Sequence, residues 1–187
     1  LLVSVFAFYI IYGYYANGRS FENFDSLLKH SGKLVTDFTV TEGFPIVMIN
    51  MGILGFISIA LIFLMFPYIN GPILSGLITL IGFAGFGKHL KNVLPIIAGV
   101  SLSYIMFGIN ISLTTFAITL FFSTCLAPIS GKFGIIPGII VGFTNFCLVL
   151  NMGALHGGLN LYNTGLSAGI VASVSVPILQ LFYGGKK

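Results

Sequence analysis

The stretches from Phe44 to Gly87 and from Asn92 to Gly131 contain neither a charged side chain nor a histidine, and this limits the fold more than any other feature. A soluble domain carries roughly 25% charged residues. This chain has 6%, with 57% apolar residues and a mean hydropathy of +1.07. Eight basic and four acidic side chains in 187 residues cannot cover a water-facing surface. The uncharged runs therefore belong in lipid, where an α-helix satisfies its own backbone hydrogen bonds. The expected fold class is all-α: a polytopic transmembrane helix bundle of about seven membrane-crossing segments with an internal repeat.

A hydrocarbon core about 30 Å thick takes about 20 helical residues. Seven apolar segments come near that length: A, Leu1 to Ala16; B, Phe44 to Phe66; C, Pro72 to Phe86; D, Val93 to Ile109; E, Leu113 to Ala127; F, Ile135 to Leu155; and G, Leu166 to Tyr183. Segment C reaches only about 23 Å at about 1.5 Å per residue, and Gly76, Gly82 and Gly85 weaken it, so a re-entrant half-helix is the alternative to a crossing. Charge arbitrates, because Lys and Arg near helix ends collect on the cytoplasmic side. If all seven segments cross, Arg19, Lys29, Lys33, Lys88, Lys91, Lys132, Lys186 and Lys187 share one face, all eight of the basic residues. A re-entrant C divides them between the faces. The expectation is seven crossings in a cell (inner) membrane, with the N-terminus outside and the C-terminus cytoplasmic. A chain that opens at Leu1 inside an apolar run, with no basic region ahead of it, is expected to be N-terminally incomplete.

The A–B break is the one long polar stretch. Within it Phe21, Phe24, Leu27 and Leu28 recur at helical spacing behind Ser20, with Gly32 placed to end the helix. Residues 20–31 are expected to form an interfacial amphipathic helix, with Glu22, Lys29 and His30 toward the headgroups.

Several motifs recur in the same order. Ser31-Gly32-Lys33 precedes Asn50-Met51-Gly52-Ile53-Leu54, as Ser130-Gly131-Lys132 precedes Asn151-Met152-Gly153-Ala154-Leu155. Tyr68-Ile69-Asn70-Gly71-Pro72 opens C somewhat as Tyr162-Asn163-Thr164-Gly165 opens G. Residues 1–187 then form a single transmembrane domain, with repeat units 1–110 and 111–187, the second incomplete. Parallel repeats of this kind relate their halves by an axis along the membrane normal.

Polar groups at membrane depth are the candidate functional residues. Asn50 and Asn151 either pair helices or line a solute pathway, together with His156, Asn160 and Asn163 from the Gly-broken run between F and G. Lys88 and His89, ahead of segment D, are either a positive-inside anchor or an anion vestibule at a helix N-terminus. Cys125 and Cys147 match no zinc or redox spacing and read as buried free thiols. No Asp or Glu falls in a spanning segment, no catalytic motif is present, and no clustered basic face points to nucleic acid. No cofactor or metal site is expected, and the chain is not expected to be an enzyme. The partners implied are the lipid bilayer and a small solute, with a homo-oligomer compatible with the sequence. The leading reading is a transporter or channel for a small neutral or anionic solute; the alternative is a structural or assembly subunit.

In Gly82-Phe83-Ala84-Gly85-Phe86-Gly87-Lys88-His89 and Gly153-Ala154-Leu155-His156-Gly157-Gly158-Leu159-Asn160-Leu161-Tyr162-Asn163 the chain resembles an uncharacterised bacterial multi-pass membrane family, domain of unknown function fifteen-seventy-six. The resemblance covers most of the chain, implies the C-terminal portion of longer, internally repeated proteins, and carries over no functional residue. A fainter similarity is to the urea-channel fold, where an Asn-Gly-rich break precedes a short helix in each half, as Asn70-Gly71-Pro72 precedes C. The Leu-Pro and Thr-x-Pro-Phe signature of those channels is not present in that form, and their halves are inverted where these run parallel.

Overall fold

The computed structural model describes residues 1–33, 36–108, 110–152 and 160–183, with the side chains of residues 160–162 outside the description. Every regular element among the described residues is helical. They form two compact units, Leu1–Lys91 and Asn92–Lys187.

In the first unit, α1 (Leu2–Ala16) lies along much of α4 (Phe44–Met65), and two single turns, α2 (Phe24–Leu27) and α3 (Phe38–Thr41), fill the connection. Helix α4 starts after Gly43, whose φ of +88° suits only glycine without strain, and Pro45 occupies its first turn. It ends where Phe66 turns extended ahead of Pro67. At about 1.5 Å per residue its 22 residues reach about 33 Å, enough for a bilayer. Its contact with α1 depends on small residues: a Cβ on Gly52 would sit 2.5 Å from Ile10 Cγ1 and 2.8 Å from Phe6 O. Without a hydrophobic drive in lipid, such close backbone approach is the main source of helix association.

The expected amphipathic helix over 20–31 is reduced to the single turn α2. Gly18, Arg19 and Asn23 all take positive φ, which breaks the helix ahead of Phe24, and Ser20 Oγ accepts from Glu22 N instead of capping a longer helix. Leu27 is fully buried and joins Phe38, Ile46, Val47 and Ile49 in one cluster. The apolar spacing read as a lipid-facing stripe therefore serves packing against the start of α4.

Helix α5 (Gly71–Gly82) is capped by Asn70, whose side chain accepts from Ile73 N at 3.0 Å, and it tightens into a 3-10 turn at Phe83–Gly85. The unit boundary falls at the start of α6 (Leu90–Phe107).

In the second unit, α7 (Leu113–Phe122) passes through a 3-10 turn at Ser123–Leu126 into α8 (Ala127–Phe133), a continuous apolar stretch of 21 residues. Segment E thus runs past Ala127, and Ser130-Gly131-Lys132 lies inside α8, whereas Ser31-Gly32-Lys33 has no helical structure. Helices α9 (Ile135–Met152) and α10 (Asn160–Tyr183) complete the unit, α9 packing on α8 and α10, and α10 on α7. A Cβ on Gly99 would run into Ile139 O, and one on Gly142 into Ile96 O. Tyr104 stacks on Phe116 with ring centres 3.8 Å apart and meets Phe146 edge-on at 5.9 Å.

Among the described residues five helical stretches are long and apolar enough to cross a membrane, while Leu2–Ala16 and Gly71–Gly85 are shorter apolar helices.

Candidate functional site

Each unit contains a helix that passes into a 3-10 turn, and in each a buried asparagine from a long helix bonds to a residue of that turn. Turns of this kind leave backbone carbonyls that need donors. In the first unit Asn50, 1% exposed, donates through Nδ2 to Ala84 O at 2.8 Å and Lys88 O at 2.9 Å. The chain then passes Gly87, at φ +99° and pressed so closely on Gly32 that a Cβ would meet Gly32 O at 2.8 Å. Lys88 Nζ lies 4.9 Å from the centre of the Phe83 ring.

His89 is buried, and its Nε2 donates to His30 O at 2.8 Å. The His30 ring in turn meets Glu42 Oε1 at 2.5 Å, which also accepts from Ser26 Oγ at 3.2 Å. Burial pushes the His89 pKa below the ordinary histidine value; the hydrogen bond to His30 opposes this, and the charges of His30 and Lys91 add to it. The imidazole is therefore neutral near pH 7. In the expected anion vestibule, His89 is an uncharged donor already engaged by backbone and Lys88 rests on an aromatic face, so the pair ties two loops together.

In the second unit Asn145 is fully buried, its Nδ2 donating to Ser123 Oγ at 2.7 Å and its Oδ1 accepting from Ser167 Oγ at 2.7 Å. Ser167 Oγ also lies 3.0 Å from Thr164 O, so one hydroxyl hydrogen serves two acceptors. Thr119, Thr124 and Thr164 are buried around this line. Sequence reading missed Asn145, Ser123 and Ser167. The signal was Thr144-Asn145 in the middle of segment F, overshadowed by the repeated motif that begins at Asn151.

The remaining sequence candidates divide as follows. Asn151 is exposed and, among the described residues, donates to Cys147 O of its own helix at 3.0 Å, so the matched pair Asn50 and Asn151 occupies different environments in different units. His156 lies outside the described residues; Asn160 opens α10 with its side chain outside the description. Asn163 is 2% exposed, and its Oδ1 has no hydrogen-bond partner among the described residues. It lines a cavity of about 310 Å³ with Asn110, Ser112, Thr115, Val149 and neighbouring apolar side chains. Of the two thiols expected to be buried, Cys125 is exposed on the 3-10 turn, and Cys147 is half-buried with Ser103 Oγ 3.2 Å from its Sγ. No group of three or more His, Cys, Asp or Glu among the described residues is placed to hold a metal ion.

Apolar helices of spanning length, one of them interrupted at Ser123–Leu126 beside the buried Asn145, define a membrane-embedded helical protein. The chain belongs to the family described as protein of unknown function (DUF1576), whose model matches residues 16–181. No curated protein and no solved structure matches it, so the similarity to the urea-channel fold rests on the order of sequence features alone.

Proposed function

We propose that this protein carries a small neutral solute across a cell membrane through its second unit. The observation that carries the reading is the interrupted span at Ser123–Leu126, held by the buried Asn145, Ser123 and Ser167 side chains. Irregular backbone is tolerated at membrane depth where protein or a water-filled cavity covers it, and broken helices mark the solute sites of many transporters. The neutral alternative is favoured over the anionic one because His89 is uncharged near pH 7 and engaged by His30 O. The proposal includes seven crossings, with α1 and the α5 stretch spanning despite their length, and all eight Lys and Arg on the cytoplasmic side. An internal repeat belongs to it as an order of segments, without pairing Asn50 to Asn151.

Proteoliposomes of the full-length protein test this by stopped-flow light scattering after an osmotic jump in acetamide or glycerol. Solute-driven reswelling should exceed that of protein-free vesicles and fall at least tenfold in Asn145→Leu that still inserts and elutes as a folded species. Rates equal to protein-free vesicles for both solutes would sink the reading. The second reading, a non-transporting assembly subunit, draws on the engagement of Asn50 Nδ2 by two backbone carbonyls. It expects no flux, and loss of a stable complex when Asn50 is replaced.

A further inference from the structure

Two segments of the first unit meet at histidines that the proposed transport path does not use. Residues 30–32 follow α2, and residues 86–89 lead from the 3-10 turn into α6. Their backbones press together at Gly32 and Gly87, and His89 Nε2 donates to His30 O at 2.8 Å. Both imidazoles pack on the fully buried Phe38 ring, whose centre lies 5.4 Å from that of His30 and 6.2 Å from that of His89. The two rings differ in their surroundings. His30 is partly exposed and meets Glu42 Oε1, which balances a proton it takes up. His89 is 1% exposed, and the charges of His30 and Lys91 both oppose its protonation. The other charged groups on the adjoining segments are Lys29 and Lys33 beside His30, Asp37 at the start of α3, and Lys88; α4 and α5 carry no titratable side chain.

We propose that His89 makes this loop pair a proton-released clasp: in acid, residues 86–89 part from residues 30–32 and His89 takes up a proton in water. A charged imidazole in the closed form has lost its hydration and faces like charge, whereas in the open form it regains water. The direction follows from linkage. His89 has a lowered pKa in the closed form and the ordinary value of 6.5 when exposed, so the open form binds more protons at pH values between the two. Opening is therefore least favoured above about pH 6.5, grows as pH falls through that interval, and levels off below the closed-form value. Glu42 does not supply the trigger, since protonating His30 strengthens its contact with that carboxylate. The clasp lies in the first unit and stands whether or not the second unit carries a solute.

Amide hydrogen exchange of the full-length protein in nanodiscs tests this, read by mass spectrometry at pH 7.5 and pH 5.0 and corrected for the intrinsic exchange rates. The reporting amides are His30 N, bonded to Leu27 O, and Lys88 N, bonded to Phe83 O. Protection of peptides spanning residues 28–32 and 86–89 should fall by about fivefold or more in acid, while that of α9 holds within about twofold. His89→Gln keeps a donor for His30 O and cannot titrate, so protection should then stay within about twofold across the same range. Glu42→Gln, which removes the contact with His30 as an ion pair, should leave the fall in place. Lys91→Glu, at an exposed position, sets an opposite charge near His89 and should at least halve the fall, a second handle should His89→Gln fail to fold. No fall in the unaltered protein overturns the proposal, as does a fall shared by α9. So does a fall that persists in His89→Gln, disappears in Glu42→Gln, or is unchanged in Lys91→Glu.

Discussion

Replacing Asn50 by leucine removes two hydrogen bonds at once while keeping the branched shape and heavy-atom count of the side chain, and the structure sets the size of the effect. Asn50 Nδ2 bonds Ala84 O at 2.8 Å and Lys88 O at 2.9 Å from a position 1% exposed. Interhelical hydrogen bonds in membrane proteins are worth about 0.6 kcal/mol each on average and about 1.7 kcal/mol at most, so the pair contributes about 1–3 kcal/mol. Both acceptors belong to the segment between α5 and α6, and the variant leaves them without this donor. Asn151→Leu is the matched control, because Asn151 is exposed and its bond among the described residues lies within its own helix. It should change stability by less than about 0.5 kcal/mol. Reversible unfolding of both variants in mixed detergent micelles, followed by circular dichroism, reads the difference. Equal destabilisation would refute the assignment of Asn50 as a latch, and would restore the symmetric pairing that the repeated Asn-Met-Gly motif implies.

Gly99→Ala should destabilise by about 1–3 kcal/mol, since its Cβ would collide with Ile139 O and come within 2.8 Å of Phe143 N. Gly169→Ala, with nothing within 4 Å of the added carbon, should be neutral or slightly stabilising, and thermal midpoints in one detergent compare the two. His89 gives a pH dependence of defined sign. Its folded pKa lies below the ordinary 6.5, so the unfolded chain binds more protons in that interval; its contribution is complete above about pH 6.5 and is lost as pH falls through the folded value. His89→Gln, which keeps a donor for His30 O and cannot titrate, should flatten the stability profile in that window. An unchanged slope would show that His89 does not titrate on unfolding.

The spans were legible because lipid imposes one requirement on every residue of a crossing, and hydropathy sums it; segments B, D and F coincide with α4, α6 and α9 to within a few residues. Segment E, bounded at Ala127, runs on to Phe133, because Pro128 occupies the first turn of α8 after a 3-10 interruption, where its missing N–H costs no helical hydrogen bond. Residues 20–31 show the limit of periodicity: the spacing of Phe24 and Leu27 identifies an apolar face but not whether lipid or protein covers it, and here it is Phe38 and Ile46. The asparagines carry the same lesson into the site. An amide in an apolar run must find a partner, and the sequence states the need without naming who meets it. Asn50 is met by carbonyls 34 and 38 residues downstream, and Asn145 by two hydroxyls, each 22 residues away. Asn163 differs: its Oδ1 is buried with no donor among the described residues.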